Sequence, residues 1–131
     1  MSTVTQNSKL VESQNSASNL LGVRIASIGS YVHENVVTNE DLANLGCDSE
    51  WIVQRTGIQS RRHASKDQAT SDLAYNAAVD CLQRAGVGAD EIDLLIVATM
   101  TPDHYTPSSS CLVQARLGAK CAAMDVNAAC S

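Results

Sequence analysis

Two short apolar runs with a helix-length segment between them constrain this fold most. Residues 92–99 and 121–126 are rich in aliphatic side chains and have the length of strands. Near-continuous apolar runs of this kind are typical of central strands in a parallel sheet. Between them, residues 108–117 have Leu112, Val113 and Leu117 at helical spacing. A strand, a helix and a second strand in this order predict a parallel pair within a layered α/β fold.

A longer helix is predicted ahead of the first run, because apolar residues recur there with a period of 3.6. Thr70 or Ser71 opens this helix, which runs to about Ala85 and stops at Gly86. Its apolar face comprises Leu73, Ala74, Ala77, Ala78, Cys81, Leu82 and Ala85. Residues 100–107, which contain both prolines, are predicted to form a loop.

Smaller elements are predicted in residues 22–66. The alternating pattern of residues 22–31 predicts a first strand, and Thr38 or Asn39 then caps a short helix over residues 40–45. Ser49 begins a second short helix that Gly57 ends. Residues 58–66 are basic and are predicted to be a loop or a hairpin.

The second short helix has Trp51 and Arg55 four positions apart, so they share one face. Taken alone, a single tryptophan usually anchors a short helix against the core. The adjacent Arg61 and Arg62 are by default surface residues, although clustered cations can also steer phosphates. In the predicted loop, Asp103 and His104 resemble a catalytic pair in composition.

Composition excludes several classes of protein. The chain has 131 residues, of which 44% are hydrophobic and 18% charged, as in globular proteins. The net charge of −5 argues against binding to nucleic acid, and no apolar run is long enough to span a membrane. Residues 1–20 are polar without periodicity and are predicted to be a disordered extension ahead of one domain over residues 21–131.

The cysteines indicate a reducing environment. There are five, an odd number, at spacings that match no zinc pattern, and no secretory signal precedes them. We therefore expect reduced thiols, no metal site and a cytoplasmic location.

The last residues, DVNAACS (125–131), carry the most chemical information. Small side chains after a buried strand allow a sharp turn that presents Cys130 to a substrate, as in other strand–turn–nucleophile arrangements. On reactivity alone, an inert buried cysteine is the commoner interpretation of such a residue.

Three collinear motifs resemble one family. SEWIVQRTGIQSRRHA (49–64), IVATMTPDHYTPSSSCLVQARLG (96–118) and DVNAACS are similar to the amino-terminal part of β-ketoacyl-(acyl carrier protein) synthase III. The resemblance runs from about residue 22 to Ser131. It implies a thiolase-like fold of which this chain is about the first half, truncated at the nucleophile. It also makes the loop with Asp103 and His104 a pocket wall and subunit contact, so a structural role is favoured for these two residues.

The resemblance also implies a reaction. Cys130 matches the nucleophile that takes an acyl group from acyl-CoA before condensation with malonyl-(acyl carrier protein) and loss of carbon dioxide. Trp51 matches a tryptophan that stacks on adenine, and Arg55 and Thr56 match residues that help hold the nucleotide. The family's catalytic histidine and asparagine belong to its second half, beyond Ser131. No cofactor is implied, since the CoA thioester is a substrate, and the complete enzyme is expected to be a homodimer.

Thr106 departs from the family pattern, because many bacterial relatives have Phe at the matching position, where it closes the partner subunit's acyl pocket. A smaller residue implies room for a longer acyl chain. Two alternatives stay open for the whole chain. It is a related synthase that makes ketones, polyketides or quinolones, or it is an inactive polypeptide that aggregates or pairs because its second half is missing.

Overall fold

The computed structural model describes residues 22–46 and 48–127. The predicted disordered extension over residues 1–20 and Cys130 lie outside these residues. The regular elements, in chain order, are β1 (Val36–Thr38), a 3₁₀ helix (Glu40–Leu45), α1 (Ser49–Thr56), β2 (Ser60–Arg62), α2 (Thr70–Ala85), a 3₁₀ turn (Ala89–Glu91), β3 (Leu94–Ala98), α3 (Ser109–Leu117) and β4 (Ala122–Val126).

The predicted parallel pair is confirmed. β3 and β4 are parallel, with Leu94 opposite Ala122 and Ala98 opposite Val126. The backbone N–H of Thr99 donates to the carbonyl of Val126 at 3.0 Å, which continues the ladder one step further. α3 connects the two strands and packs against both, and α2 packs against α3. The strands start one or two residues later than the apolar runs suggest.

The two faces of this sheet are unequal. The helix-facing side chains include Leu95 and Val97, which line a cavity of about 250 Å³ together with Val113 of α3. Val113 is 1% exposed and is one of two buried hydrophobic residues in the described ranges. On the opposite face the side chains are exposed and largely apolar: Leu94, Ile96, Ala98, Ala122, Met124 and Val126. Central strands of a parallel sheet are usually covered on both faces, whereas β3 and β4 are covered on one face only within the described part of the chain.

The predicted strand over residues 22–31 is wrong. Residues 22–35 have no regular secondary structure, and Ile25 is 82% exposed. Alternation predicts a strand only where another strand supplies hydrogen bonds, and none does so among the described residues. Instead the segment lies against α2. A Cβ on Gly29 would come within 2.3 Å of the backbone nitrogen of Cys81, and the N–H of Ser30 donates to Asp80 Oδ2 at 2.9 Å.

The basic segment contains a strand, but not as part of a hairpin. β2 pairs with β1 in antiparallel fashion, with Val37 opposite Arg61, and α1 lies between the two strands in the chain. Asn39 is the N-cap of the 3₁₀ helix, but its side chain makes no capping hydrogen bond. Thr38, one residue earlier, makes the side-chain contacts instead: the N–H of Asp41 donates to Thr38 Oγ1 at 3.3 Å, and the N–H of Thr38 donates to Asp41 Oδ2 at 2.8 Å. This reciprocal pair has the pattern of a capping box.

Candidate functional site

α1 exposes an aromatic ring beside a cation. The Trp51 side chain is 52% exposed, and the guanidinium carbon of Arg55 lies 5.8 Å from the centroid of its ring. Ile52, on the other side of the helix, is 9% exposed and supplies the contact with the interior. Trp51 is therefore not the core anchor that a lone tryptophan usually is.

Local sequence explains where α1 begins and ends. Asp48 is its N-cap, and Asp48 Oδ1 accepts a long hydrogen bond of 3.4 Å from the N–H of Glu50. At the other end Gly57 has φ of +72°, a conformation that a side chain makes unfavourable. The Gly57 N–H donates to the carbonyl of Val53 at 2.8 Å. Two turns of helix between these caps place Trp51 and Arg55 on one face, as predicted, and the structure shows that this face is exposed.

The third predicted nucleotide-binding residue on α1 already has hydrogen-bonding partners. Thr56 Oγ1 donates to the carbonyl of Ile52 at 2.7 Å and accepts from the N–H of Ile58 at 3.1 Å. The single hydroxyl proton of Thr56 is therefore already donated to a backbone carbonyl at the end of the helix. Any contribution of Thr56 to nucleotide binding therefore has to come from the shape of this turn or from its remaining lone pair.

Two carboxylates organise the carboxyl edge of the parallel sheet. Asp125 of β4 accepts from the N–H groups of Ser109 and Ser110 at 2.8 Å each, so it caps α3 with both oxygens. Asp103 Oδ1 accepts from the N–H of Ser71 at 2.9 Å at the start of α2. The hydroxyl of Ser109 donates to the same Asp103 oxygen at 3.3 Å and accepts from the Asp103 N–H at 3.0 Å. The beginnings of both helices are therefore tied to the sheet edge from which the chain continues towards Cys130.

These contacts keep both carboxylates ionised. Burial acts to raise the pKa of Asp103 and of Asp125, but hydrogen bonds from Ser71 and Ser109 to Asp103, and from Ser110 and Ser109 to Asp125, outweigh it. The pKa of each carboxyl therefore lies below its ordinary value. A negative charge at a helix N-terminus is also stabilised by the helix dipole.

The predicted loop over residues 100–107 is confirmed, and Thr106 is exposed on it beside the fully exposed Tyr105. Asp103 makes the helix contacts described above, which agrees with the structural role favoured for it. The structure thus places Thr106 on a different element from Trp51 and Arg55. Cys130, the predicted nucleophile, lies outside the described residues, and β4 and Asn127 are the described part of its approach.

Arg61 and Arg62 hold backbone carbonyls. The Arg61 guanidinium donates to the Thr38 carbonyl at 3.1 Å and to Asn39 Oδ1 at 2.6 Å. The Arg62 guanidinium donates to the carbonyls of His33 and Glu34 at 3.2 and 3.1 Å. Both contacts favour the structural interpretation of this pair over the steering of phosphates.

Sequence reasoning considered Asn39 only as a helix cap and gave Asp125 no structural role. Asp125 carries a detectable signal, because it is a charged residue inside an apolar strand run and therefore needs hydrogen-bonding partners. Asn39 carries no such sequence signal apart from its position just before a helix. Within residues 22–46 and 48–127, no helix has both the length and the apolar character to cross a membrane. Nor do three His, Cys, Asp or Glu side chains cluster there as a metal site.

The parallel pair and its two helices have the arrangement found in thiolase-like synthases. No family model matches the chain. It is 66% identical over 113 residues to β-ketoacyl-[acyl-carrier-protein] synthase III of Rhodopirellula baltica, a match that covers 86% of this chain and 33% of the relative. The chain thus spans about a third of the length of the curated relatives it matches.

Solved structures give the same result. 3-Oxoacyl-[acyl-carrier-protein] synthase III from Aquifex aeolicus superposes with a TM-score of 0.79 at 44% identity, over 84% of this chain and 36% of that one. The priming β-ketosynthase of the R1128 polyketide pathway superposes with a TM-score of 0.76 at 35% identity, over 84% and 36%. The resemblance predicted from the three motifs is confirmed: this chain is similar to β-ketoacyl-(acyl carrier protein) synthase III over about a third of the length of those relatives.

Proposed function

We propose that the full-length protein containing this chain starts fatty-acid synthesis by condensing an acyl group from acyl-CoA with malonyl-(acyl carrier protein). The single observation that carries this proposal is the exposed Trp51 ring with Arg55 above it, on a chain 66% identical to a synthase III. A purine can stack on such a ring, and a guanidinium suits both a purine face and a phosphate.

The proposed chemistry takes place at Cys130. Its thiolate attacks the thioester carbonyl of acyl-CoA, the C–S bond to CoA breaks, and the CoA thiolate leaves with the proton that Cys130 gave up. Malonyl-(acyl carrier protein) then loses carbon dioxide, and the resulting carbanion attacks the acyl-cysteine and expels the Cys130 thiolate. Covalent capture divides one difficult condensation into two easier steps. No cofactor takes part, because CoA arrives as part of a substrate and leaves as a product.

The proposal extends to the setting of the enzyme. We propose a homodimer whose contacts include β4 and the loop at Tyr105 and Thr106, supported by the full exposure of Tyr105. A cytoplasmic location is supported by Cys81, Cys111 and Cys121, which are free thiols within the part described. We further propose that the 131 residues by themselves do not catalyse condensation, because one face of the β3–β4 sheet is bare and apolar.

The test uses a hybrid synthase, in which this chain replaces the matching third of the Rhodopirellula baltica relative. Incubation with acyl-CoA should add one acyl mass to the hybrid synthase, and peptide mass spectrometry should locate it on Cys130. Cys130→Ala should abolish both the adduct and the condensation. An adduct elsewhere, or turnover that survives Cys130→Ala, contradicts the proposal.

A second experiment tests the helix face. Trp51→Ala should raise the KM for acyl-CoA about tenfold or more, since stacking of a base on an aromatic ring contributes ~1–3 kcal/mol. The matched control is Val53→Ala, which removes an exposed apolar side chain from the same helix. Equal KM values for the two variants contradict the assignment of Trp51.

A priming role in polyketide assembly is a second candidate, supported by the superposition on the R1128 priming β-ketosynthase.

Acyl-chain profiling of the hybrid synthase separates the candidates and also tests Thr106. If Thr106 opens the acyl pocket, octanoyl-CoA should be used and Thr106→Phe should restrict the enzyme to short chains. Efficient use of acetyl-CoA with rejection of octanoyl-CoA contradicts the wider pocket.

A further inference from the structure

α1 is too short to be stable by itself. A helix of eight residues has few internal hydrogen bonds to offset the cost of nucleation. Its one buried side chain is Ile52, and a single apolar contact leaves the helix free to rotate and slide. The orientation of its exposed face therefore depends on directional contacts at its two ends.

Two consecutive residues outside the helix make those contacts. At the start of α1, Ser49 Oγ donates to Glu40 Oε1 at 2.9 Å. Just beyond its end, Asn39 Nδ2 donates to the carbonyl of Ile58 at 2.8 Å. Asn39 is 2% exposed, so this amide contact is shielded from water. Residues 39 and 40 thus bridge both ends of the helix.

Arg61 fixes the orientation of the Asn39 side chain. Its guanidinium has only donors and lies 2.6 Å from Asn39 Oδ1, so the amide oxygen has to face Arg61 and the amide nitrogen has to face Ile58. The same guanidinium donates to the Thr38 carbonyl at 3.1 Å, which ties the arrangement to β1. A buried amide with both ends satisfied has one low-energy orientation.

We propose that Asn39, held by Arg61, is a positioning residue that sets the orientation of the Trp51–Arg55 face and thereby the affinity for the nucleotide part of the acyl donor. This inference rests on the proposed function. Asn39 touches neither ring nor cation. It acts through the carbonyl of Ile58, two residues past the end of α1. Displacement of a binding group by about an ångström is enough to weaken a stacked and ion-paired contact.

The test compares two acyl donors in the hybrid synthase: an acyl-CoA and the acyl N-acetylcysteamine thioester with the same acyl group but no nucleotide. Asn39→Ala should raise the KM for acyl-CoA roughly tenfold, as expected for the loss of a buried hydrogen bond, with kcat within about twofold. The kcat/KM for the short thioester should not change. General damage to the enzyme would lower turnover of both donors.

Two further substitutions locate the effect. Asn39→Asp has the same shape and keeps an oxygen for Arg61, but it cannot donate to Ile58, so it should raise the KM for acyl-CoA if that bond matters. Arg61→Gln should do the same, whereas Arg62→Gln should not. Arg62 is the matched control, because it loses the same charge but contacts the carbonyls of His33 and Glu34.

The outcomes separate this inference from the function on which it rests. If Trp51→Ala raises the KM for acyl-CoA and the Asn39 variants do not, the positioning role is wrong and the proposed function stands. If Trp51→Ala has no effect on this KM, the assignment of Trp51 to the nucleotide fails and the positioning role fails with it, whereas the chemistry proposed at Cys130 is judged by the acylation test. If the short thioester is affected as much as acyl-CoA, or Arg62→Gln raises the KM as much as Arg61→Gln, the positioning role is overturned in favour of general stability or charge.

Discussion

Two regions of this chain fix their geometry by different means. In the α1 unit (residues 36–62), a neutral amide, an arginine and the exposed carboxylate of Glu40 link a short helix to the 3₁₀ helix beside it and to β2. In the layered unit (residues 70–126), two longer helices pack beside a parallel pair, and the partly buried Asp103 and Asp125 hold the helix starts.

The comparison separates packing from positioning. Only Ile52 and Val113 are buried hydrophobic residues in the described ranges, one in each unit. Apolar contact brings elements together without fixing their angles, whereas hydrogen bonds to backbone groups are directional. In the layered unit the acceptors of these bonds are partly buried charged groups. Removing such an acceptor is therefore expected to lower the free energy of unfolding more there than in the α1 unit.

The largest effect is expected for Asp125→Ala in the hybrid synthase. The substitution leaves the N–H groups of Ser109 and Ser110 without their acceptor, and both residues are 0% exposed. We expect the free energy of unfolding to fall by about 3 kcal/mol, measured by urea unfolding with far-ultraviolet circular dichroism. The control is the exposed Asp93→Ala, just before β3. An equal fall in the free energy of unfolding for the two variants would mean that the partly buried carboxylate does not stabilise the layered unit.

Gly29→Ala should come next. Its new Cβ would lie 2.3 Å from the Cys81 nitrogen and 2.6 Å from the Ala77 carbonyl oxygen, and helix backbone cannot move aside. We expect a loss of about 2 kcal/mol in the same unfolding assay, as for other overpacked sites. In Gly88→Ala the nearest atom belongs to the flexible Asp90 side chain, so its cost should be smaller. The reverse order would mean that residues 22–31 do not pack on α2 as described.

Acid should affect the layered unit more than the amide contact in the α1 unit. The pKa values of Asp103 and Asp125 are lowered in the folded state. The stability that these two carboxylates contribute is therefore fully present above their pKa in the unfolded chain, which is about 3.9. It is lost as pH falls through the lowered folded pKa. The urea midpoint of Asp103→Asn/Asp125→Asn should therefore depend less on pH between about 5 and 2 than that of the parent.

The matched variant for this titration is Asn39→Ala, which removes no titratable group. Its midpoint should be displaced from that of the parent by the same amount at every pH. If its acid slope instead flattens as much as that of the double aspartate variant, the carboxylates do not account for the acid sensitivity of the layered unit.

The smallest effect is expected at the surface. Arg84 pairs with Asp80 one turn away at 2.9 Å, but its side chain is 62% exposed. Exposed pairs of this kind contribute little, so Arg84→Gln should leave the urea midpoint unchanged. Asp80→Ala should lower it, because Asp80 also accepts from the N–H of Ser30. A larger loss for Arg84→Gln than for Asp80→Ala would reverse this account.

Much of the layered unit could be predicted because its signals are local. The period of α2, the apolar runs of β3 and β4, and the glycines after α2 and α3 depend on neighbouring residues, and the structure agrees with them closely. The end of α1 at Gly57 and the shared face of Trp51 and Arg55 could be predicted for the same reason, because they also depend on neighbouring residues.

The errors and omissions involve residues far apart in the chain. The alternation in residues 22–31 indicated a strand, but a strand requires a partner, and in the described ranges this segment lies on α2 instead. Asp125 capping α3 and Asn39 holding Ile58 join residues 16 and 19 positions apart. Pairings of this kind leave no periodic trace in the sequence.

The sequence by itself determined the helices and strands of residues 70–126, the shared face of Trp51 and Arg55 on α1, and the resemblance to a synthase III, because each depends on side-chain type and short-range spacing. Only the tertiary structure decided which polar groups hold α1 and which carboxylates hold the starts of α2 and α3. Those choices depend on distances across the fold, and a buried donor or acceptor takes whichever partner the packing brings within about 3 Å.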